Sequence, residues 1–506
     1  MKAAPLTLRI ISFAFLLLLL VSHSLPAFGK SPFGGFFGSS QQQDPTTLSD
    51  DDRWDNSLVL ARPDIEPFTS VRAIAAVGKD VYVGGRFASA GGVAVNGIAR
   101  WDGEAWSNVG GGIDFCLGTF CFPTVYALQV KGNELIAGGN FGSIGGVPAN
   151  KIARWDGSKW STLGDGLSIC DWTGDCVTVQ SIALSGDDIY ATGNVMSDVK
   201  EVGGTLLVEG FARWDGANWS KVGGGVIGDS LTASINALAI NGKDAYIGGN
   251  FRSAGGSSAN NIAIWNGSEW SALGGGVDGC LSQNPSFPCA PYVATIAVKE
   301  KDVYAGGRFT SAGGVPANNI ARWDGERWHA LGSGANGLVL KLAVHGDWVY
   351  AGGTFTEIDG VKARGLARFD GERWSPVGSG VDGFVDVIEF SDDFMYVAGA
   401  FHSAGGKQAF NFARWALPGT PADPLSLLPR ITGISRMRKK LFVSGERFDQ
   451  GAVLLLNGMA QITQSDPGNP SGLLIASKSG KLVKPGVRLQ VQNHDGKLSP
   501  EFIAPQ

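Results

Sequence analysis

Apolar and polar residues alternate along most of this chain at a period of two, in short runs broken by glycine, the pattern of half-buried β-strands. One arrangement of such runs recurs seven times, at 81–110, 135–164, 189–223, 245–274, 303–334, 349–378 and, truncated, at 395–415. In the first copy residues 71–76 alternate as one strand, Gly78-Lys79-Asp80 turns it, and 81–87 form a second strand carrying Gly84-Gly85. The stretch SAGGVAVNG at 89–97 reads as a loop and 98–101 as a third strand. Asp102-Gly103 then signals a tight hairpin, because both residues tolerate the positive φ such turns need, and 106–109 is the fourth strand. No long helical periodicity competes with this pattern.

Four strands per copy, 46 to 58 residues apart with glycines and aromatics at fixed places, predict the blades of a β-propeller. The seventh copy ends at Trp415 without a fourth strand. Arg53-Trp54-Asp55-Asn56, followed by residues 57–61, reads as a third-to-fourth-strand piece that would close the ring and remove its open edge. The expected fold is all-β: a seven-bladed β-propeller at 53–417, a linker at 418–428 and an unrelated series of short strands at 429–506. The glycine doublet and the pair Trp101 and Trp106 resemble kelch and galactose-oxidase-type propeller repeats over about 52–417, with Trp where kelch repeats usually carry Tyr. KLFVSGERFDQGAVLLLNG at 440–458, with Gly445, Phe448, Gly451, Asn457 and Gly458, resembles the IPT/TIG family. That resemblance implies a C-terminal immunoglobulin-like β-sandwich used as a spacer or interaction module.

Composition adds a compartment. Lys2 and Arg9, an apolar run at 10–21 and Pro26-Ala27-Phe28-Gly29 read as a secretory signal peptide at 1–29, too short to span a bilayer. Residues 30–52, rich in Gly, Phe, Ser and Gln, read as a disordered linker. Removing 1–29 takes away two cations and moves the net charge from −5 to −7, which disfavours nucleic acid as a partner. No later stretch is apolar enough for a membrane span. The six cysteines fall into local pairs, Cys116 with Cys121, Cys170 with Cys176 and Cys280 with Cys289, which in an oxidising compartment predict three disulfides. Zinc is the competing reading, but no His lies near any pair. The chain is therefore expected to be secreted, extracellular, periplasmic or on the cell surface, and monomeric.

Propeller topology puts the blade-to-blade and second-to-third connections on one face. The disulfide loops and the insertion at 197–209 all belong to it. Binding usually resides in loops held by a rigid scaffold, so Phe115, Phe120, Trp172 and Phe287 are candidate contacts there, unless they only pack under their own disulfides. The second position of the first strand varies most among copies: Arg72, Tyr126, Gln180, Asn236, Ala294, Leu340 and Asp386. A variable polar set near a channel mouth is what a ligand site would look like. Arg72 and Asp386 sit at matching places on neighbouring blades and could instead form an ion pair that seals the ring. Lys341, Glu389 and Gln129 break small-residue positions of the same strand.

Other residues read as structural. The Arg and Asp of ARWDG are lost together in the fourth copy, as Ile264 and Asn266, and are expected to partner each other. Arg436 to Lys440 reads as a solvated basic turn. His329, His345, His402 and His494 do not converge, so neither a copper centre nor any other cofactor or metal is expected. The sequence thus points to a non-enzymatic binding or scaffold protein with a protein or glycan partner. The alternative is a glycosidase or lyase using Asp386 and Glu389, weakened because residues three apart on a regular strand face opposite ways.

Overall fold

A computed structural model describes residues 50–55, 70–115, 122–167, 178–196, 210–227, 232–280, 289–421, 429–467, 469–477, 479–494, 498–499 and 502–504. Residues 1–49, which hold the expected signal peptide and most of the expected linker, lie outside the described residues. All that follows concerns the unit 46–506. It is all-β, with short 3-10 turns at Asp50–Arg53 and Ser479–Lys481.

Ser70–Val77, Asp80–Arg86, Ile98–Trp101 and Trp106–Asn108 form an antiparallel four-stranded sheet in chain order. The same order recurs in the sheets begun by Thr124–Lys131, Val179–Ser185, Thr232–Asn241, Tyr292–Lys299 and Val339–His345. The sheet begun by Phe384–Phe390 continues through Phe394–Ala400 and Phe412–Ala416 and takes its fourth strand, Trp54–Asp55, from the other end of the chain. Each first strand lies against the next, and Phe384–Phe390 lies against Ser70–Val77, so the cycle closes. This is a β-propeller arrangement.

The chain ends meet differently from the expectation. Trp54 pairs with Trp415 and Asp55 with Arg414, so Trp54 takes the fourth-strand place and not the third. Arg-Trp-Asp imitates the end of a third strand, but Trp415 already fills that role, and Trp54 packs over Gly405 as Trp106 packs over Gly91. Residues 57–61, read as the fourth strand, lie outside the described residues. Folded structure also begins before Arg53. Asp51 accepts a hydrogen bond from the Ser379 amide at 2.6 Å, and Trp415 Nε1 donates to the Asp50 carbonyl at 3.0 Å.

The glycine doublet serves packing between sheets. A Cβ on Gly84 would stand 2.6 Å from Val125 Cγ1, and Gly138, Gly306 and Gly352 meet Val179, Val339 and Val385 in the same way. The doublet's second glycine is kept in every copy, and a Cβ on Gly85 would strike the Ser70 carbonyl oxygen. At the rim, four of the fourth-strand tryptophans tie their sheet to the exit of the one before it. Trp160 Nε1 donates to the Val109 carbonyl at 2.9 Å, and Trp219, Trp270 and Trp328 donate to Leu163, Gly223 and Leu273 at 2.8 Å. The stretch read as a loop at 89–97 contains a small hairpin, Ser89–Ala90 with Val93–Ala94. Its equivalent Ser253–Ala254 pairs with Val226–Ile227, leaving the preceding sheet. Strands of two residues are too short to carry a readable period.

Gly274 tests this packing. Its φ is +47°, and a Cβ there would run into the ring of Trp323. Gly274→Ala is expected to lower stability by about 2–4 kcal/mol through overpacking and left-handed strain. Gly267→Ala, at a turn with open space around it, should cost about 1 kcal/mol. Denaturant unfolding of the two variants measures the difference, and equal losses would contradict the contact with Trp323.

Residues 429–506 contain two further four-stranded sheets. One joins Arg430–Met437, Lys440–Glu446, Asn469–Ala476 and Thr463–Asp466; the other joins Met459–Ala460, Val453–Leu456, Arg488–Gln492 and Phe502–Ile503. Leu441, Val443 and Leu474 from the first share a core with Leu454, Leu489 and Val491 from the second.

Candidate functional site

Every first strand of the propeller carries a β-bulge at the same place. Pairing with the second strand slips between Val71 and Ala73, Val125 and Ala127, Val179 and Ser181, Ile235 and Ala237, Val293 and Thr295, Val339 and Lys341, and Val385 and Val387. The skipped residues are Arg72, Tyr126, Gln180, Asn236, Ala294, Leu340 and Asp386, the position that varies most among the copies. A bulge leaves its extra residue outside the ladder and re-aims its side chain. The preceding residue is buried in each case, while the skipped residue is half-buried or exposed. The invariant second glycine lies directly across the bulge, Gly85 opposite Val71, where any side chain would strike the backbone. Constant glycines therefore build the seat, and the seated residue is free to differ. Because the first strands neighbour one another in a closed cycle, these bulge positions follow one another around a ring. Asn236 spans part of it, with Nδ2 donating to the Val293 carbonyl beside the next bulge at 3.5 Å.

The ring contains one ion pair. Arg72 Nη1 lies 2.8 Å from Asp386 Oδ2, joining the first and last sheets. The other carboxylate oxygen, Oδ1, is buried without a hydrogen-bond partner. Burial pushes the Asp386 carboxyl up to about 6, against the pull of Arg72 and Lys341. Burial also raises Glu389, and Lys341 again opposes the shift. Lys341 thus acts on both carboxylates, and the three-residue separation does not divide them as it would on a regular strand, because Asp386 is itself the extra residue. Gln129 is half-buried within the regular ladder, opposite Ile136.

The loop face is described in part. Cys280 and Cys289 form a disulfide. Cys116, Cys121, Cys170, Cys176, Phe120, Trp172 and Phe287 lie outside the described residues, as does the insertion at 197–209. Phe115 ends the strand Ile113–Phe115, opposite Ser143. Sequence reasoning missed Phe122, which is 47% exposed with the Arg86 guanidinium 4.0 Å from its ring centroid. Its place beside Cys121 was the available signal.

The Arg and Asp of ARWDG do not partner each other. Arg100, Arg213 and Arg322 reach back to Asp80, Asp188 and Asp302 at the start of the second strand, at 2.8, 2.7 and 3.2 Å. Asp102 instead accepts from the Glu104 and Ala105 amides at 2.9 Å, shaping the turn. Asn266 accepts equally well from Ser268 and Glu269 at 2.9 Å, so its change from Asp is independent of Ile264. Where Trp348 and Phe394 replace the second-strand acid, the N-terminal segment supplies it: Asp50 to Arg368 at 3.4 Å and Asp55 to Arg414 at 2.5 Å. A groove of about 620 Å³ beside Asp80, Arg100 and Glu134 is lined by charges already committed to such pairs. Among the described residues no cluster of three or more His, Cys, Asp or Glu could hold a metal ion, and no helix is long and apolar enough to cross a membrane.

No family model and no curated protein matches the chain by sequence. Among solved structures it is similar to YCF48 bound to D1 peptide, at 14% identity and TM-score 0.26 over 63% of this chain and 88% of that one. It is also similar to the β-propeller domain of the Trilobed protease from Pyrococcus furiosus, at 12% and 0.30 over 61% and 98%. A third is exo-1,5-alpha-L-arabinanase from a bovine ruminal metagenomic library, at 9% and 0.20 over 74% and 95%.

Proposed function

We propose that this chain is a secreted or envelope-associated binding protein in which a seven-bladed, kelch-like propeller holds a polar ligand at its channel mouth. In this reading the disulfide-bearing loops surround the mouth and an IPT/TIG-like module at 429–506 follows. The observation that carries the proposal is the coincidence of the most variable position with the bulge residue of every first strand. Structural positions in a repeat converge, whereas a side chain withdrawn from pairing and packing is open to selection for a ligand. The set suits a neutral glycan better than a charged peptide. Arg72 and Asp386 neutralise each other, Gln180 and Asn236 offer amide donors and acceptors, and Tyr126 offers a ring face with a polar tip. Seven blades are supported by the closed cycle of first strands, and an oxidising compartment by the Cys280–Cys289 bridge.

A glycan array probed with the full chain tests this. Tyr126→Ala and Gln180→Ala should each weaken binding of the captured glycan about fivefold to tenfold, and capture unchanged by both would remove the ring from consideration. One observation favours a second reading, a carbohydrate-active enzyme. Glycoside cleavage uses one protonated and one ionised carboxyl, and Asp386, raised to about 6, can carry the proton of such a pair with Glu389, since Lys341 acts on both. Turnover of the captured glycan that is abolished in Asp386→Asn would carry it.

A further inference from the structure

The basic run Arg436 to Lys440 is not an isolated solvated turn. It joins Arg430–Met437 to Lys440–Glu446, and two segments distant in sequence come up beside it. The Gly480 amide donates to the Lys439 carbonyl at 3.1 Å, which fixes the turn Ser479–Lys481 against the run. Ser479 Oγ donates to Gln461 Oε1 at 2.9 Å, which brings in the segment from Met459 to Ile462. The three segments form one pole of the C-terminal module.

Its chemistry is of one kind. Arg436, Arg438, Lys439, Lys440, Lys481 and Lys484 are all exposed, and none of these three segments contains Asp or Glu. No ion pair is found for these cations among the described residues. Between them stand large apolar side chains directed to solvent, with Ile462 81% exposed, Met459 68%, Met437 66% and Leu482 58%. Residues 429–506 hold eleven Lys and Arg against five Asp and Glu, in a chain whose net charge is −5. A soluble domain rarely collects apolar tips within a field of unpaired cations unless the group is used. An acidic protein surface would answer the cations but not the projecting Ile, Met and Leu. An anionic lipid surface answers both, since phosphates meet the cations while the apolar tips enter the headgroup boundary.

We propose that this pole docks the protein onto anionic phospholipid membranes, the C-terminal module acting as a peripheral membrane anchor. The proposal does not rest on the glycan reading of the propeller. The full chain should co-sediment with phosphatidylcholine vesicles containing about one-third phosphatidylglycerol, should not with phosphatidylcholine alone, and should be released by high salt. Lys439→Glu with Lys440→Glu should lower the bound fraction about tenfold or more. Ile462→Ser with Leu482→Ser should weaken binding that persists at moderate salt. All four side chains are exposed, so both double variants should keep the parent far-ultraviolet circular dichroism, thermal midpoint and glycan-array profile. Failure of the parent chain to sediment with anionic vesicles overturns the proposal, as does equal sedimentation of the charge-reversed variant.

Discussion

Trp54→Ala should lower the unfolding free energy by about 3–5 kcal/mol, the cost of truncating a buried aromatic, with a corresponding fall in the denaturant midpoint. Trp54 is 2% exposed and packs in one core with Val377, Val381, Trp415 and Leu417, from the last two sheets. It also anchors the strand that completes the last sheet, and that strand brings Asp55 to Arg414, which is otherwise half-enclosed over the ring of Phe394. The loss should exceed that of Asp55→Ala, which removes an ion pair but leaves the ring of Trp54 in place. A Trp54→Ala midpoint matching the parent would mean that the N-terminal strand contributes nothing to the fold.

Asp386→Asn should have the opposite sign. The Asp386 carboxyl binds its proton more tightly in the fold than in the unfolded chain, at about 6 against 3.8, because burial penalises its charge more than Arg72 and Lys341 relieve it. The raised value means that its favourable contribution is fully present below pH 3.8 and lost as pH rises through 6. At pH 8 the ionised carboxylate costs about 2–3 kcal/mol relative to acid conditions. Asn carries no such charge, so the variant should match the parent near pH 4 and exceed its stability by up to that amount near pH 8. Arg72, 45% exposed, keeps its hydration when left alone. Chemical denaturation at several pH values measures the gap, and parallel pH profiles for the two proteins would refute the assignment. On the proposed reading of the bulge residues as a ligand site, the stabilised variant should bind less well.

Much of this was legible in the sequence, for definite reasons. The period-two runs and the recurring Gly-Gly and Trp pair specify four strands per copy, because each answers to a local steric requirement. Comparing copies also located the variable position and the Arg72–Asp386 pair. The bulge beneath it was not legible, since it is a property of the backbone created jointly by the first strand and by the glycine on its partner, Gly85 opposite Val71. The arginine of ARWDG was assigned to the wrong carboxylate because both residues are lost together in the fourth copy, whereas strand pairing sets Arg100 opposite Tyr82, two residues from Asp80. The Arg436 to Lys440 run looked unremarkable because its neighbours at 461 and 479 reach it only through the fold.

The clasp between the chain ends has a consequence for how the protein is made. Asp55 and Arg414 are 359 residues apart, and the carboxylates that satisfy Arg368 and Arg414 both come from the N-terminal segment. Synthesis delivers that segment among the first parts of the propeller, yet its partner strand, Phe412–Ala416, comes last. A nascent chain can assemble sheet after sheet, but its first segment has no partner strand until Phe412–Ala416 is made. Any product that terminates early lacks the final hinge of the ring and displays an open sheet edge and a bare tryptophan.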